Sequence, residues 1–234
     1  MKTITTVCVC LAIFMLSCQD ETLRMERYQI HGIDVSHHQA EIHWDSVADE
    51  NISFAFVKAT EGGDHTDRRY CDNWRAMKRE GIRRGAYHFF HPSSSPKRQA
   101  EHFTGLVELA AGDLPPVLDV EIVDGVSRQM LINNIKYWLF LVERHYEMKP
   151  IIYTNLQTYN RYLCGHFDDH PLWIARYNQI EPHLKDDREW KFWQYGNRGR
   201  IPGINGWVDF NVFRGAKEDL GDLCKSPEAI TSSR

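Results

Sequence analysis

Residues 114–121 read LPPVLDVE, an apolar run that ends on two acids two positions apart. Side chains alternate along a strand, so Asp119 and Glu121 share one face while Leu118 and Val120 take the other. Two carboxyls held that close in a partly buried cleft repel, and one keeps its proton to a higher pH. A carboxyl protonated near neutral pH is what general-acid bond cleavage requires. An isolated D-x-E is also compatible with two solvated loop acids or a metal site. Other apolar runs repeat the feature, however. Asp34 lies in GIDVS and Asp209 in VDFNVF, each flanked by apolar residues although Asp is disfavoured in strands. Glu61, just after FVKAT, adds a fifth acid at the end of the second strand and is expected to bind substrate, with a loop or helix-start acid as the equal alternative. Lys and Arg are sparse in sequence around Asp119 and Glu121, which argues against a purely structural ion network.

These acids need a scaffold that gathers distant stretches of chain. Short β-branched or aromatic runs bounded by Gly, Pro or Asn predict strands at 29–35, 53–59, 84–90, 116–121, 150–154, 172–175, 190–195 and 208–213. Between them, 67–80 places Tyr70, Trp74 and Met77 on one helical face. Ser95 and Pro96 read as an N-cap followed by Pro at the first helical position, opening a helix to about residue 110. Residues 127–147 repeat Leu131, Ile135, Trp138, Leu139 and Val142 at helical spacing. Later connections are shorter: 159–164 reads as one or two helical turns and 197–206 as a Gly-rich loop. Strand–helix alternation predicts a parallel α/β sheet, and eight strands predict closure into an irregular TIM-like β/α barrel with fewer than eight helices. Such barrels carry their chemistry at the C-terminal strand ends. Closure makes the first and last strands neighbours, which brings Asp34 and Asp209 to one rim, facing Asp119 and Glu121. The same rim gathers Tyr87, Tyr153, Asn155, Trp193 and Gln194, an acid-lined, aromatic-walled groove suited to a polysaccharide.

Bulk properties narrow the class. The 234 residues suit one domain, and a formal charge of −4 with no basic stripe gives no sign of nucleic-acid binding. No G-x-G-x-x-G or Walker loop supports a nucleotide site. Lys2, the short apolar run 7–16 and Ser17-Cys18 resemble a bacterial lipoprotein signal, with Cys18 as the lipid-bearing residue. Residues 1–18 are then signal, 19–28 a charged tether, 29–224 the catalytic barrel and 225–234 a frayed tail. Membrane association is expected only through Cys18; without lipidation the chain is secreted, and either way its location is extracytoplasmic. Cys71, Cys164 and Cys224 remain in the domain, odd in number and widely spaced, so no disulfide framework or CxxC metal site is visible.

The runs GIDVSHHQ (32–39), FVKATEG (56–62), GAYHFF (85–90), PVLDVE (116–121), IYTN (152–155), WQY (193–195) and VDFNVF (208–213) together resemble glycoside hydrolase family 25, the Chalaropsis-type lysozymes. The resemblance runs in order from about Ile30 to Phe213. It implies an irregular β/α barrel that hydrolyses the β-1,4 bond after N-acetylmuramic acid in peptidoglycan glycan strands, without a cofactor; we expect a monomer. By resemblance Glu121 is the catalytic acid, Asp119, Asp34 and Asp209 the other active-site acids, and Tyr87 and Tyr153 line the sugar site. The family is described as retaining. The attacking group is then either a carboxylate or the sugar's own 2-acetamido group, and the second, with Asp119 orienting it, is the favoured reading. Two rivals remain at this stage. One is a metal-dependent hydrolase using His37, His38, His88 or His91 with Asp34; the other is an inactive peptidoglycan-binding barrel.

Overall fold

A computed structural model describes residues 22–178 and 180–227. The strands are β1 (Ile30–Val35), β2 (Phe54–Glu61), β3 (His65–Thr66), β4 (Arg83–Phe89), β5 (Val117–Asp119), β6 (Ile151–Asn155), β7 (Leu172–Ala175), β8 (Phe192–Gly199) and β9 (Val208–Phe213). Eight of them close in the order β1-β9-β8-β7-β6-β5-β4-β2, with β2 pairing back onto β1. The two-residue β3 is a flap folded antiparallel on the end of β2. The helices are α1 (Trp44–Ala48), α2 (Tyr70–Arg79), α3 (Pro96–Leu106), α4 (Arg128–Tyr146), α5 (Leu156–Thr158) and α6 (Lys217–Leu223). The expected irregular barrel with fewer helices than strands is therefore what forms.

The sheet is not wholly parallel, which corrects the sequence expectation. β9 runs antiparallel to both β8 and β1. Residues 200–207 join β8 to β9 as a hairpin loop, and a connection with no crossover helix can only return the chain antiparallel. Two short helices, α1 and α6, also lie where no periodic signal was read, being too brief to show one.

Local chemistry accounts for the long elements. Ser95 Oγ caps α3 by accepting the Arg98 N–H, and Pro96 occupies the first turn. Ser127 Oγ does the same for α4 through the Met130 N–H, and Glu147 ends that helix in the left-handed region at φ 57°. The inward stripe of α4, including Trp138, packs on Phe103 of α3 with ring centroids 5.6 Å apart.

The barrel interior is filled by alternate residues of each strand. On β2, Phe54 and Phe56 point inward while Ala55 and Val57 face the helices. Phe56 stacks on Trp173 at 4.4 Å and meets Phe192 edge-on at 5.2 Å. Glycine makes room for these rings at the inward positions Gly32 and Gly85; a Cβ at Gly85 would lie 2.5 Å from the Phe56 ring.

Thr22–Tyr28, read as part of a tether, lies along the barrel's outside. The Thr22 N–H donates to Arg198 O at 2.9 Å, Met25 is buried, and the Tyr28 ring sits 5.8 Å from Trp190. At the other end, Lys225 exchanges backbone hydrogen bonds with residues 112–113 at 2.8–2.9 Å. Residues 1–21, including the signal reading and Cys18, and residues 228–234 of the tail lie outside the described residues. Cys71, Cys164 and Cys224 are free thiols.

Gly85→Ala should overpack the interior and cost about 1–3 kcal/mol, lowering the thermal midpoint by several degrees. Gly105→Ala in α3, where a Cβ meets nothing within 4 Å, serves as the control and should be neutral or stabilising. Equal midpoints for the two variants would refute this account of the interior.

Candidate active site

Each strand's inward row is apolar at the base and turns polar at the rim. On β1, Ile30 and Gly32 lead to Asp34; on β2, Phe54 and Phe56 lead to Lys58. Val117 precedes Asp119, Ile151 precedes Tyr153, and Phe192 precedes Gln194 in the same way. Because β9 is reversed, its rim residue Asp209 comes first and its base residue Phe213 last. The result is a cavity of about 250 Å³ lined by all four predicted catalytic acids, Asp34, Asp119, Glu121 and Asp209, together with Tyr87, Tyr153 and Gln194. Ser36, His38, Lys58, Phe89, Trp173 and Tyr177 complete its wall.

The acids differ in setting. Asp34 and Asp209 are directly opposed Cα partners across β1 and β9, so their side chains leave the sheet on the same face. Burial, then the charge of Asp209, holds Asp34 well above the usual carboxylate range. Burial raises Asp209 to about 6, with Glu121 adding to the effect. Asp119 is raised well above its ordinary value by burial first, then by the charges of Glu121 and Asp34, with Lys58 opposing. Its Oδ1 is buried without a hydrogen-bond partner. Glu121 is exposed at the mouth, where Oε1 lies 3.2 Å from the Tyr153 hydroxyl. That hydroxyl also lies 2.8 Å from Gln194 Oε1, and the Tyr177 hydroxyl donates to the same oxygen at 2.9 Å. Burial keeps the Tyr87 and Tyr153 phenols neutral by raising them well above 10.0.

Three residues expected to bind substrate stand elsewhere. Trp193 and Gln194 are adjacent on β8 and must face opposite ways, so with Gln194 inward the Trp193 ring is buried outside the barrel wall; its Nε1 donates to Arg176 O at 3.0 Å. Asn155 caps α5, accepting the Thr158 N–H at 2.8 Å. Glu61 is engaged behind the rim by Lys58 Nζ at 2.6 Å and His91 Nε2 at 3.0 Å. Burial works against its charge, but those two partners prevail and lower it to about 2. The apparent lack of cations near the acids is corrected by Lys58, which reaches the cavity from β2. Alternation from Phe54 and Phe56 was the signal that could have placed it. Tyr177 follows β7 in an irregular loop and carried no such signal.

Of the histidines weighed as metal ligands, only His38 lines the cavity. His37 Nδ1 pairs with Asp67 at 2.7 Å. Both ring nitrogens of buried His88 are engaged, by Thr60 at 2.7 Å and Gln99 at 3.1 Å. Among the described residues no three His, Cys, Asp or Glu side chains are grouped as a metal site.

The model of the glycosyl hydrolases family 25 matches residues 33–204. The chain belongs to this family. A family 25 glycosyl hydrolase from Bacillus anthracis superposes with a TM-score of 0.83 at 34% identity, covering 89% of this chain and 100% of that one. Lysozyme M1 of Streptomyces globisporus is 34% identical over 207 residues, 82% of this chain and 70% of the relative. The uncharacterized protein YegX of Escherichia coli K12 is 45% identical over 198 residues, 82% of this chain and 72% of the relative. This family 25 chain is thus a glycoside hydrolase with its acids at the strand ends.

The buried acids should make it less stable as pH rises. A carboxyl whose folded value lies above its unfolded value binds a proton that the unfolded chain has released, so stability falls as pH climbs from about 4 through the folded value. Asp119→Asn removes that penalty. Its thermal midpoint should exceed the parent's by several degrees at pH 8, and the gain should vanish near pH 4. A pH-independent difference would contradict the assignment.

Proposed function

We propose that this chain is a lysozyme that hydrolyses the β-1,4 bond between N-acetylmuramic acid and N-acetylglucosamine in peptidoglycan, with Glu121 as general acid. The carrying observation is the division among the four carboxyls: three lie recessed and raised, and Glu121 stands at the mouth within reach of a bound chain. A sugar entering the cavity brings its glycosidic oxygen beside Glu121 at the mouth. Glu121 then gives its proton to the departing glycosidic oxygen as the C1–O bond breaks.

Positive charge that develops at C1 faces the carboxyls of Asp34 and Asp209. The 2-acetamido oxygen closes on C1, and the unpartnered Asp119 Oδ1 accepts its N–H. Water then attacks C1 and yields a proton to Glu121, which reopens the ring and returns the sugar with its configuration retained. Tyr87, Tyr177 and Trp173 supply aromatic wall for the sugar faces. The name of the Streptomyces relative, Lysozyme M1, supports this substrate class. Such a substrate lies outside the cytoplasm, in keeping with residues 1–18 as a lipoprotein-type signal and Cys18 as the lipid attachment; the barrel works as a monomer and without a cofactor.

Glu121→Gln should lower kcat on purified peptidoglycan by roughly 10²–10⁴-fold while leaving the circular dichroism spectrum and glycan binding intact. Mass spectrometry of the parent digest should find muropeptides with N-acetylmuramic acid at the new reducing end. Near-normal turnover by the variant would remove Glu121 from its role, and N-acetylglucosamine at the reducing end would move the cut to the other bond.

A further inference from the structure

The acid cluster is backed by two buried amides, Asn211 beneath the cavity and Gln194 in its wall. Asn211, wholly buried on β9, donates through Nδ2 to Asp34 Oδ2 at 2.7 Å, and Gln194 donates through Nε2 to the same oxygen at 2.8 Å. Neither amide can turn over freely. Asn211 Oδ1 accepts the Trp173 indole N–H at 2.8 Å, and an indole nitrogen is a donor only. The carbonyl must therefore face Trp173 and the NH₂ must face Asp34. Gln194 Oε1 accepts from the Tyr177 hydroxyl at 2.9 Å and lies 2.8 Å from that of Tyr153, with its NH₂ facing Asp34.

We propose that Trp173 and Asn211, together with Gln194, form an amide clamp that commits Asp34 Oδ2 to accepting, and so leaves Oδ1 as the oxygen of Asp34 open to a proton. A carboxylate oxygen has two lone pairs, and two N–H donors occupy both. A proton on Asp34 must then lie on Oδ1, on the carboxyl that stands opposite Asp209. The clamp holds the ionised form of Asp34 against its surroundings. Asp209 faces it from β9, Asp119 from β5, and the phenols of Tyr87, Tyr153 and Tyr177 from β4, β6 and the loop after β7. The nearest cation on the adjoining strand is Lys58, which is tied to Glu61. Asn211 and Trp173 are thus positioning residues for the cleavage proposed above. This role rests on that reading only for its effect on turnover, not for its effect on Asp34.

The test is carbon-13 NMR titration of the ligand-free enzyme labelled at the Asp carboxyls, read beside kcat and KM against pH. In Asn211→Leu the Asp34 midpoint should move up by about one pH unit, the order that loss of one donor carries. The ascending limb of the kcat profile should follow it, with KM changed far less. Trp173→Phe keeps a ring against Phe56 but frees the Asn211 amide to turn; it should move Asp34 the same way by less, and serves if the Leu variant fails to fold. A merely structural role predicts lower kcat or stability with Asp34 unmoved, and that result in the folded variants overturns the clamp. A shifted Asp34 in an enzyme that cuts no peptidoglycan would leave the clamp standing and discard the lysozyme reading instead.

Discussion

Pairing of β1 with β9 in antiparallel register places Asp34 directly opposite Asp209, and the rest of the site is built around that enforced meeting. Two carboxyls on opposed backbone positions cannot separate without breaking the ladder that closes the barrel. Water does not relieve them from below, because Phe54, Phe56, Phe192 and Phe213 fill the interior. The remaining relief is protonation, amide donors or a ligand at the mouth. The structure uses the first two: both acids are raised, and Asn211 and Gln194 supply the donors. The third is left to substrate, whose reacting centre gains positive charge as the bond breaks.

How much of this was legible in the sequence follows from which physical signals are local. Strand alternation is local, so Asp119 and Glu121 were correctly set on one side, and the acids of the first and last strands were correctly brought to one rim. The same rule was misapplied at Trp193 and Gln194, neighbours that no strand can point the same way. Lys58 was overlooked because its row, Phe54-Phe56-Lys58, reads as core until closure turns that row toward the cavity. Strand direction is not local. The reversal of β9 depends on whether residues 200–207 form a crossover or a hairpin, and a Gly-containing loop without helical periodicity favours the hairpin only once closure is known. Tyr177 and the docking of Thr22–Tyr28 depend on tertiary packing alone, with single aromatic or apolar contacts too sparse to leave a periodic trace.

The cavity also explains why the acids are graded rather than equivalent. Burial holds Asp34, Asp119 and Asp209 above the usual carboxylate range. Glu121, just past the end of β5, remains open to solvent, whereas Asp119, two residues earlier, is sealed inside. That step of two residues separates an exposed carboxyl from a buried one. A general acid must be reprotonated after each turnover, so the exposed member of the pair suits that task and the enclosed member suits a fixed contact. The proposed division of roles thus follows depth along a single strand end. The aromatic floor beneath keeps that gradient steep, since solvent reaches the acids only from the side on which the glycan enters.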